Sequence, residues 1–126
     1  MNFSDKSVLI VDDYKTMLRV IRSMLKQIGF STIDEASDGK MALNLTREKT
    51  YDLIISDWNM QPLSGLELLQ AVRASGTDSA NVPFIMVTAE NKVENIIQAR
   101  NSGVNNYIVK PFSTETLKTK IEAVLK

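Results

Sequence analysis

Val8-Leu9-Ile10-Val11-Asp12-Asp13 is the stretch that decides the fold: an unbroken apolar run that ends in two carboxylates. A short run of this kind, rich in β-branched residues, reads as a strand buried on both faces. The same arrangement recurs. Leu53-Ile54-Ile55 runs into Ser56-Asp57, Phe84-Ile85-Met86-Val87 into Thr88-Ala89-Glu90, and Tyr107-Ile108-Val109 into Lys110-Pro111. Thr32-Ile33-Asp34-Glu35-Ala36 is a weaker strand of mixed polarity.

Between these runs the apolar period changes from two to that of a helix. Met17, Ile21, Met24, Leu25 and Ile28 fall on one face of a helix, and Leu117, Ile121, Val124 and Leu125 repeat the pattern near the end of the chain. Ala42–Leu45, Leu66–Val72 and Val93–Ala99 are noisier helices. Gly29 and Gly103 stand where the first and fourth helices should stop. Ser64 and Ser113 stand where N-caps of the third and fifth belong. Ala74–Val82, rich in Ser, Thr, Asp and Asn, reads as a loop. Strict β and α alternation predicts an α/β fold, a three-layer (βα)5 unit with a parallel five-stranded sheet. Right-handed crossovers leave few topologies, among them the flavodoxin-like order 2-1-3-4-5. The 126 residues are expected to form one domain, 1–126.

Composition narrows the chemistry. There is no cysteine and no histidine, which excludes disulfides, thiolate or histidine metal sites and a Ser-His-Asp triad. Fifteen basic residues balance fifteen acidic ones, so no general attraction to nucleic acid or to an anionic membrane is expected. The N-terminus lacks the pattern of a signal peptide and no apolar run is long enough to span a bilayer. A cytoplasmic monomer is expected.

In a parallel sheet of that order, the C-terminal ends of strands one, three, four and five lie side by side. Asp12, Asp13, Asp57, Thr88 and Lys110 then converge at the switch point where such sheets bind ligands. Each has a plainer reading alone: Asp12-Asp13 as a turn or cap, Thr88 as a strand former, Lys110 as a solvated strand end, Glu90 as a charge at a helix start, and Trp58 and Tyr107 as core or half-buried aromatics. Together they describe a phosphoryl site. Clustered carboxylates need a cation, and oxygen ligands select a hard one, most simply Mg2+. Lys110 and Thr88 suit phosphoryl oxygens. Asp57, on a central strand, is the candidate nucleophile that becomes an aspartyl phosphate.

Asp12-Asp13, Asp57, Thr88-Ala89 and Lys110-Pro111-Phe112 resemble the signature of receiver domains of two-component response regulators, over essentially the whole chain. Ser56-Asp57-Trp58-Asn59-Met60, Val87-Thr88-Ala89-Glu90, Glu94-Asn95-Ile96-Ile97 and Tyr107–Phe112 bring the chain closest to the CheY-type chemotaxis regulators. Those regulators themselves exemplify the 2-1-3-4-5 order, so topology and resemblance are a single inference.

The resemblance implies that Asp57 accepts phosphate from a CheA-like sensor histidine kinase. It implies that Asp13, Asp57 and the backbone carbonyl of Asn59 ligate Mg2+, with Asp12 helping directly or through water. Lys110 would contact the phosphoryl group, Thr88 would move toward it, and Tyr107 would turn inward. The Lys110-Pro111 bond would be cis. The face of the fourth helix, fifth strand and fifth helix, with Lys92, Ile96, Tyr107 and Lys120, would engage the flagellar motor switch protein or another protein target. A phosphatase is a further partner it allows. Asn59 and Glu90 would flank the water that ends the acyl phosphate. Such a protein is a switch that assists its own phosphorylation and dephosphorylation, not an enzyme.

One departure stands out. The family usually has proline directly after the methionine of the third-strand loop, whereas here Gln61 takes that place and Pro62 follows. Gly65 keeps its distance from Asp57, so register holds, and altered metal affinity or loop mobility is expected. Three rivals are weighed. A haloacid dehalogenase-type phosphatase needs an acid two residues after its nucleophile, where Asn59 stands. A DNA-binding regulator needs an output domain and a basic helix. A phosphorelay intermediate or phosphate sink shares every site residue and is the principal alternative.

Overall fold

The computed structural model describes residues 2–89 and 92–125. Along the chain run β1 (Ser7–Val11), α1 (Lys15–Ile28), β2 (Thr32–Ala36), α2 (Gly39–Glu48), β3 (Leu53–Asp57), α3 (Gly65–Arg73), β4 (Phe84–Thr88), α4 (Val93–Asn101), β5 (Asn106–Val109) and α5 (Thr114–Val124). All pairings in the sheet are parallel, in the order β2-β1-β3-β4-β5, as expected.

The alternation along each strand explains the two cores. Val8 and Ile10 of β1, Leu53 and Ile55 of β3, and Ile85 and Val87 of β4 pack with Leu18, Ile21 and Leu25 of α1 and Leu117 and Ile121 of α5. The intervening residues, Leu9, Val11, Ile54, Phe84 and Met86, pack with Ala42 of α2 and Leu66, Leu68, Leu69 and Val72 of α3. Burial on both faces is why the central strands are apolar without interruption. In α1 the fully buried stripe is Leu18, Ile21 and Leu25, while Met17, Met24 and Ile28 pack at its margin. The expected stripe lies about one residue to the side of the observed one, because leucine at 18 shares the buried face.

β2 is an edge strand, and its polar residues are the physical cost of that position. Glu35 pairs with Arg22, and Asp34 accepts hydrogen bonds from Tyr51 Oη at 2.7 Å and Lys49 Nζ at 2.9 Å.

Local chemistry ends the helices where expected. Ser64 accepts from the Glu67 amide and Glu67 returns a bond to the Ser64 amide, a complete capping box. Ser113 accepts from the Thr116 amide. Asp38 caps α2 through the Met41 amide, a cap the sequence reading missed. Gly29 and Gly103 have φ of 124° and 95°. The stretch 74–82 is more ordered than a plain loop. It contains a 3-10 turn, Asp78–Asn81, capped by Thr77 and anchored where buried Ser79 donates to Thr46 O at 2.8 Å. The residues that mark a loop are those whose side chains bond nearby backbone and build short turns.

Candidate phosphoryl and metal site

The register of the sheet assembles the site. Val11 pairs with Ser56, so Asp12 follows it directly beside Asp57. Asp57 pairs with Val87, and Thr88 with Val109, so Thr88 and Lys110 close the other side of the same sheet edge. Backbone bonds extend the ladder past the strand ends. Asp12 N donates to Ala36 O at 3.2 Å, Trp58 N to Val87 O at 2.8 Å, and Lys110 N to Thr88 O at 2.8 Å. Gly65 locks the loop that follows β3, its amide donating to Trp58 O at 2.8 Å. A Cβ there would sit 2.2 Å from the Asp57 carbonyl oxygen, so only glycine fits. The Lys110-Pro111 bond is cis, as expected, and so is Gln61-Pro62.

Three carboxylates converge. One oxygen each from Asp12, Asp13 and Asp57 lies within 4.8 Å of the others. Lys110 Nζ is 2.9 Å from Asp57 Oδ1 and 3.7 Å from Asp12 Oδ2, the second distance too long for a hydrogen bond. Asp12 is 1% exposed; Oδ1 accepts from the Tyr14 amide at 2.9 Å, but buried Oδ2 has no hydrogen-bond partner among the described residues. Burial raises the Asp12 pKa above its ordinary value. The Tyr14 amide opposes this and the nearby Asp57 charge adds to it. Burial pulls the Lys110 ammonium down, but the carboxylates of Asp57 and Asp12 outweigh it and hold its pKa above the ordinary value. An all-oxygen donor set, with one buried oxygen lacking a hydrogen bond among the described residues, fits a hard divalent cation.

The cluster opens on a cleft of about 400 Å³ lined by Asp13, Trp58, Asn59, Met60, Gln61 and Ser64. The structure thus brings Asp12, Asp13, Asp57 and Lys110 into contact range, with Asn59 on the cleft beside Asp13. Thr88 is buried at the end of β4. Tyr107 is half-buried on β5 opposite Met86, with Lys120 Nζ 5.4 Å from its ring centre. Trp58 is half-buried, as expected. Glu90 lies outside the described residues. Sequence reasoning did not place Trp58, Met60 or Ser64 on the cleft; their only signal was proximity to Asp57 in the chain.

Comparison with known proteins agrees with this geometry. The response regulator receiver domain profile matches residues 8–122. The chain belongs to that family. This receiver domain is 44% identical to the chemotaxis protein CheY of Pseudomonas aeruginosa over 119 residues, covering 94% of this chain and 95% of that protein. It is 42% identical to chemotaxis protein CheY-3 of Vibrio cholerae, covering 94% and 91%. Among solved structures it is similar to Vibrio cholerae chemotaxis protein CheY4, with a TM-score of 0.88, 32% identity, and 95% and 98% of the two chains covered. It also resembles the receiver domain of a sensor histidine kinase from Pseudomonas aeruginosa, solved with a magnesium ion coordinated in its active-site cleft. That match has a TM-score of 0.86, 26% identity, and covers 95% and 97%. Receiver domains act as phosphorylation-dependent switches and bind Mg2+ at an acidic pocket. No helix among the described residues is long and apolar enough to cross a membrane.

Proposed function

We propose that this receiver domain accepts a phosphoryl group on Asp57 and acts as the output switch of a chemotaxis pathway. The observation that carries the reading is the Asp57 carboxylate held by Lys110 at 2.9 Å, with Asp12 and Asp13 oxygens within 4.8 Å. An Asp57 oxygen attacks the phosphorus of a phosphohistidine on a CheA-like kinase. The P–N bond breaks, its electron pair leaves with the imidazole, and that nitrogen takes a proton from solvent. Lys110 balances charge on the phosphoryl oxygens, and the Thr88 hydroxyl donates to one of them. Asp12, Asp13, Asp57 and the Asn59 carbonyl would hold Mg2+, which supplies further charge neutralisation when bound. Water later attacks phosphorus, the bond to Asp57 oxygen breaks, and the carboxylate is restored.

The new charge biases a two-state equilibrium through Thr88 and Tyr107. The readout face is α4, β5 and α5, with Lys92, Ile96, Tyr107 and Lys120. Val93 and Ile97 of α4 are 68% and 51% exposed, apolar surface that suits a protein partner. The partner in this reading is the flagellar motor switch, and the protein works as a single cytoplasmic domain.

Trp58 lines the cleft and reports on it. Adding Mg2+ and then acetyl phosphate or beryllofluoride should give a saturable fluorescence change in wild type. Asp57→Asn should lose the phosphodonor response and, by intact mass, all phosphoryl transfer. Transfer that persists in the variant would refute the acceptor assignment. Beryllofluoride should also tighten binding of a motor-switch peptide; no binding, with rapid return of phosphate to a histidine domain, would replace the motor output with a relay or sink.

A further inference from the structure

We infer that Gln61 is a positioning residue of the acidic site, its carboxamide holding through water the divalent cation that Asp12, Asp13 and Asp57 would bind. The inference rests on the metal reading above and adds a residue at a place where the family usually carries proline.

The loop from Trp58 to Ser64 is anchored at both ends. Its base is closed by Gly65 N donating to Trp58 O at 2.8 Å, and Trp58 N is tied to Val87 O at 2.8 Å. Met60 is buried in the second core, and Leu63 packs so tightly on Gly39 that a Cβ there would lie 2.9 Å from the Leu63 side chain. The capping box fixes the exit through Ser64 and Glu67. Asn59 and Gln61 flank buried Met60; both are exposed and both line the cleft.

The polar groups on that cleft are not equally committed. Asp13 belongs to the carboxylate cluster. The Ser64 hydroxyl already accepts from the Glu67 amide at 3.1 Å. The carboxamides of Asn59 and Gln61 make no hydrogen bond to another described residue, and that of Gln61 extends one methylene further. A Mg2+-like ion keeps several waters, and such waters are strong donors in need of acceptors. At about 30 Å³ per water, the cleft has room for a hydration shell as well as the ion. A neutral amide oxygen accepts from a bound water without adding a fourth negative charge to a cluster that already strains against three. Proline could offer no such group.

Calorimetric Mg2+ titration of wild type, Gln61→Met and Gln61→Glu tests this, with thermal unfolding of each metal-free protein. Removing the acceptor with Gln61→Met should weaken Mg2+ binding about three- to tenfold, at the low end for outer-sphere partners because the site is open to solvent. Gln61→Glu, which restores an acceptor, should bind at least as tightly as wild type, and the metal-free unfolding midpoints should coincide. Unchanged affinity in Gln61→Met overturns the inference while leaving the metal site intact. A shifted metal-free midpoint with no recovery in Gln61→Glu overturns it in favour of a purely structural loop residue. Absence of saturable Mg2+ binding by wild type would defeat the metal reading itself, and this inference with it.

Discussion

Arg73 and Asp12 are charges drawn into the same fold at opposite ends of its sheet, and the protein treats them in opposite ways. Arg73, at the end of α3, spreads its guanidinium over the amino ends of β4 and β5. Its Nε and Nη2 donate to Gly103 O at 3.1 and 2.9 Å, Nη2 to Asn105 Oδ1 at 3.0 Å, and Nη1 to Ala80 O at 3.1 Å. Asn105 Oδ1 also accepts from Phe84 N at 2.8 Å, so one clamp ties α3, the 3-10 turn, β4 and the loop before β5. Burial pulls the Arg73 pKa down, and neutral acceptors surround the charge. At the carboxyl end, Asp12 is more deeply buried and keeps one oxygen without a hydrogen bond to any described residue. The amino end gives its charge four hydrogen bonds from three nitrogens. The carboxyl end leaves one oxygen without a hydrogen bond among the described residues, which costs stability and suits a ligand.

Breaking the satisfied end should have the larger effect. Arg73→Met removes the whole clamp and leaves two backbone carbonyls short of donors. The expected loss is about 2–3 kcal/mol, read as a lower urea midpoint at unchanged slope, with Mg2+ affinity preserved. A variant as stable as wild type would show the clamp to be superfluous.

Asp12→Asn should act with the opposite sign. It removes a buried, under-satisfied carboxylate, so the metal-free protein should gain roughly 1 kcal/mol while Mg2+ binding weakens. The pH dependence follows from the raised pKa. Below 3.8 both folded and unfolded forms are protonated and the penalty is absent; it grows as pH rises through the folded value. Asp12→Asn should flatten that decline, and unchanged metal-free stability across the range would count against the comparison.

Asp34 sharpens the contrast with the smallest effect. Hydrogen bonds from Tyr51, then Lys49, hold its pKa below the ordinary value. Its contribution is therefore complete above 3.8 and lost as pH falls through the folded value. Asp34→Asn should flatten the acid limb of the stability curve, a slope opposite to that of Asp12. An acid limb identical to that of wild type would remove Asp34 from the account.

The placement of most candidate site residues was legible because they sit where strands end. A β-strand is recognisable from a few consecutive apolar residues, and the residue after it is placed by the sheet edge. Asp12, Asp57 and Lys110 needed only the strand order to be brought together, and Thr88 to be placed at the same sheet edge. Gly65 was legible as a spacing but not as the residue that packs against the Asp57 carbonyl, since that contact depends on how α3 meets β3. The 3-10 turn at Asp78–Asn81 escaped because Ser and Thr mark loops and short turns alike.

By itself the sequence determined the strands, the helices, the caps at Ser64 and Ser113 and the acidic character of one sheet edge. These follow from local period and from side chains that bond the backbone a few residues away. Only the tertiary structure decided that Arg73 would clasp Gly103, thirty positions on, that Tyr51 would donate to Asp34, and that one buried oxygen of Asp12 would have no hydrogen bond among the described residues. Those outcomes depend on which distant groups packing brings within 3 Å, and no local pattern encodes that distance.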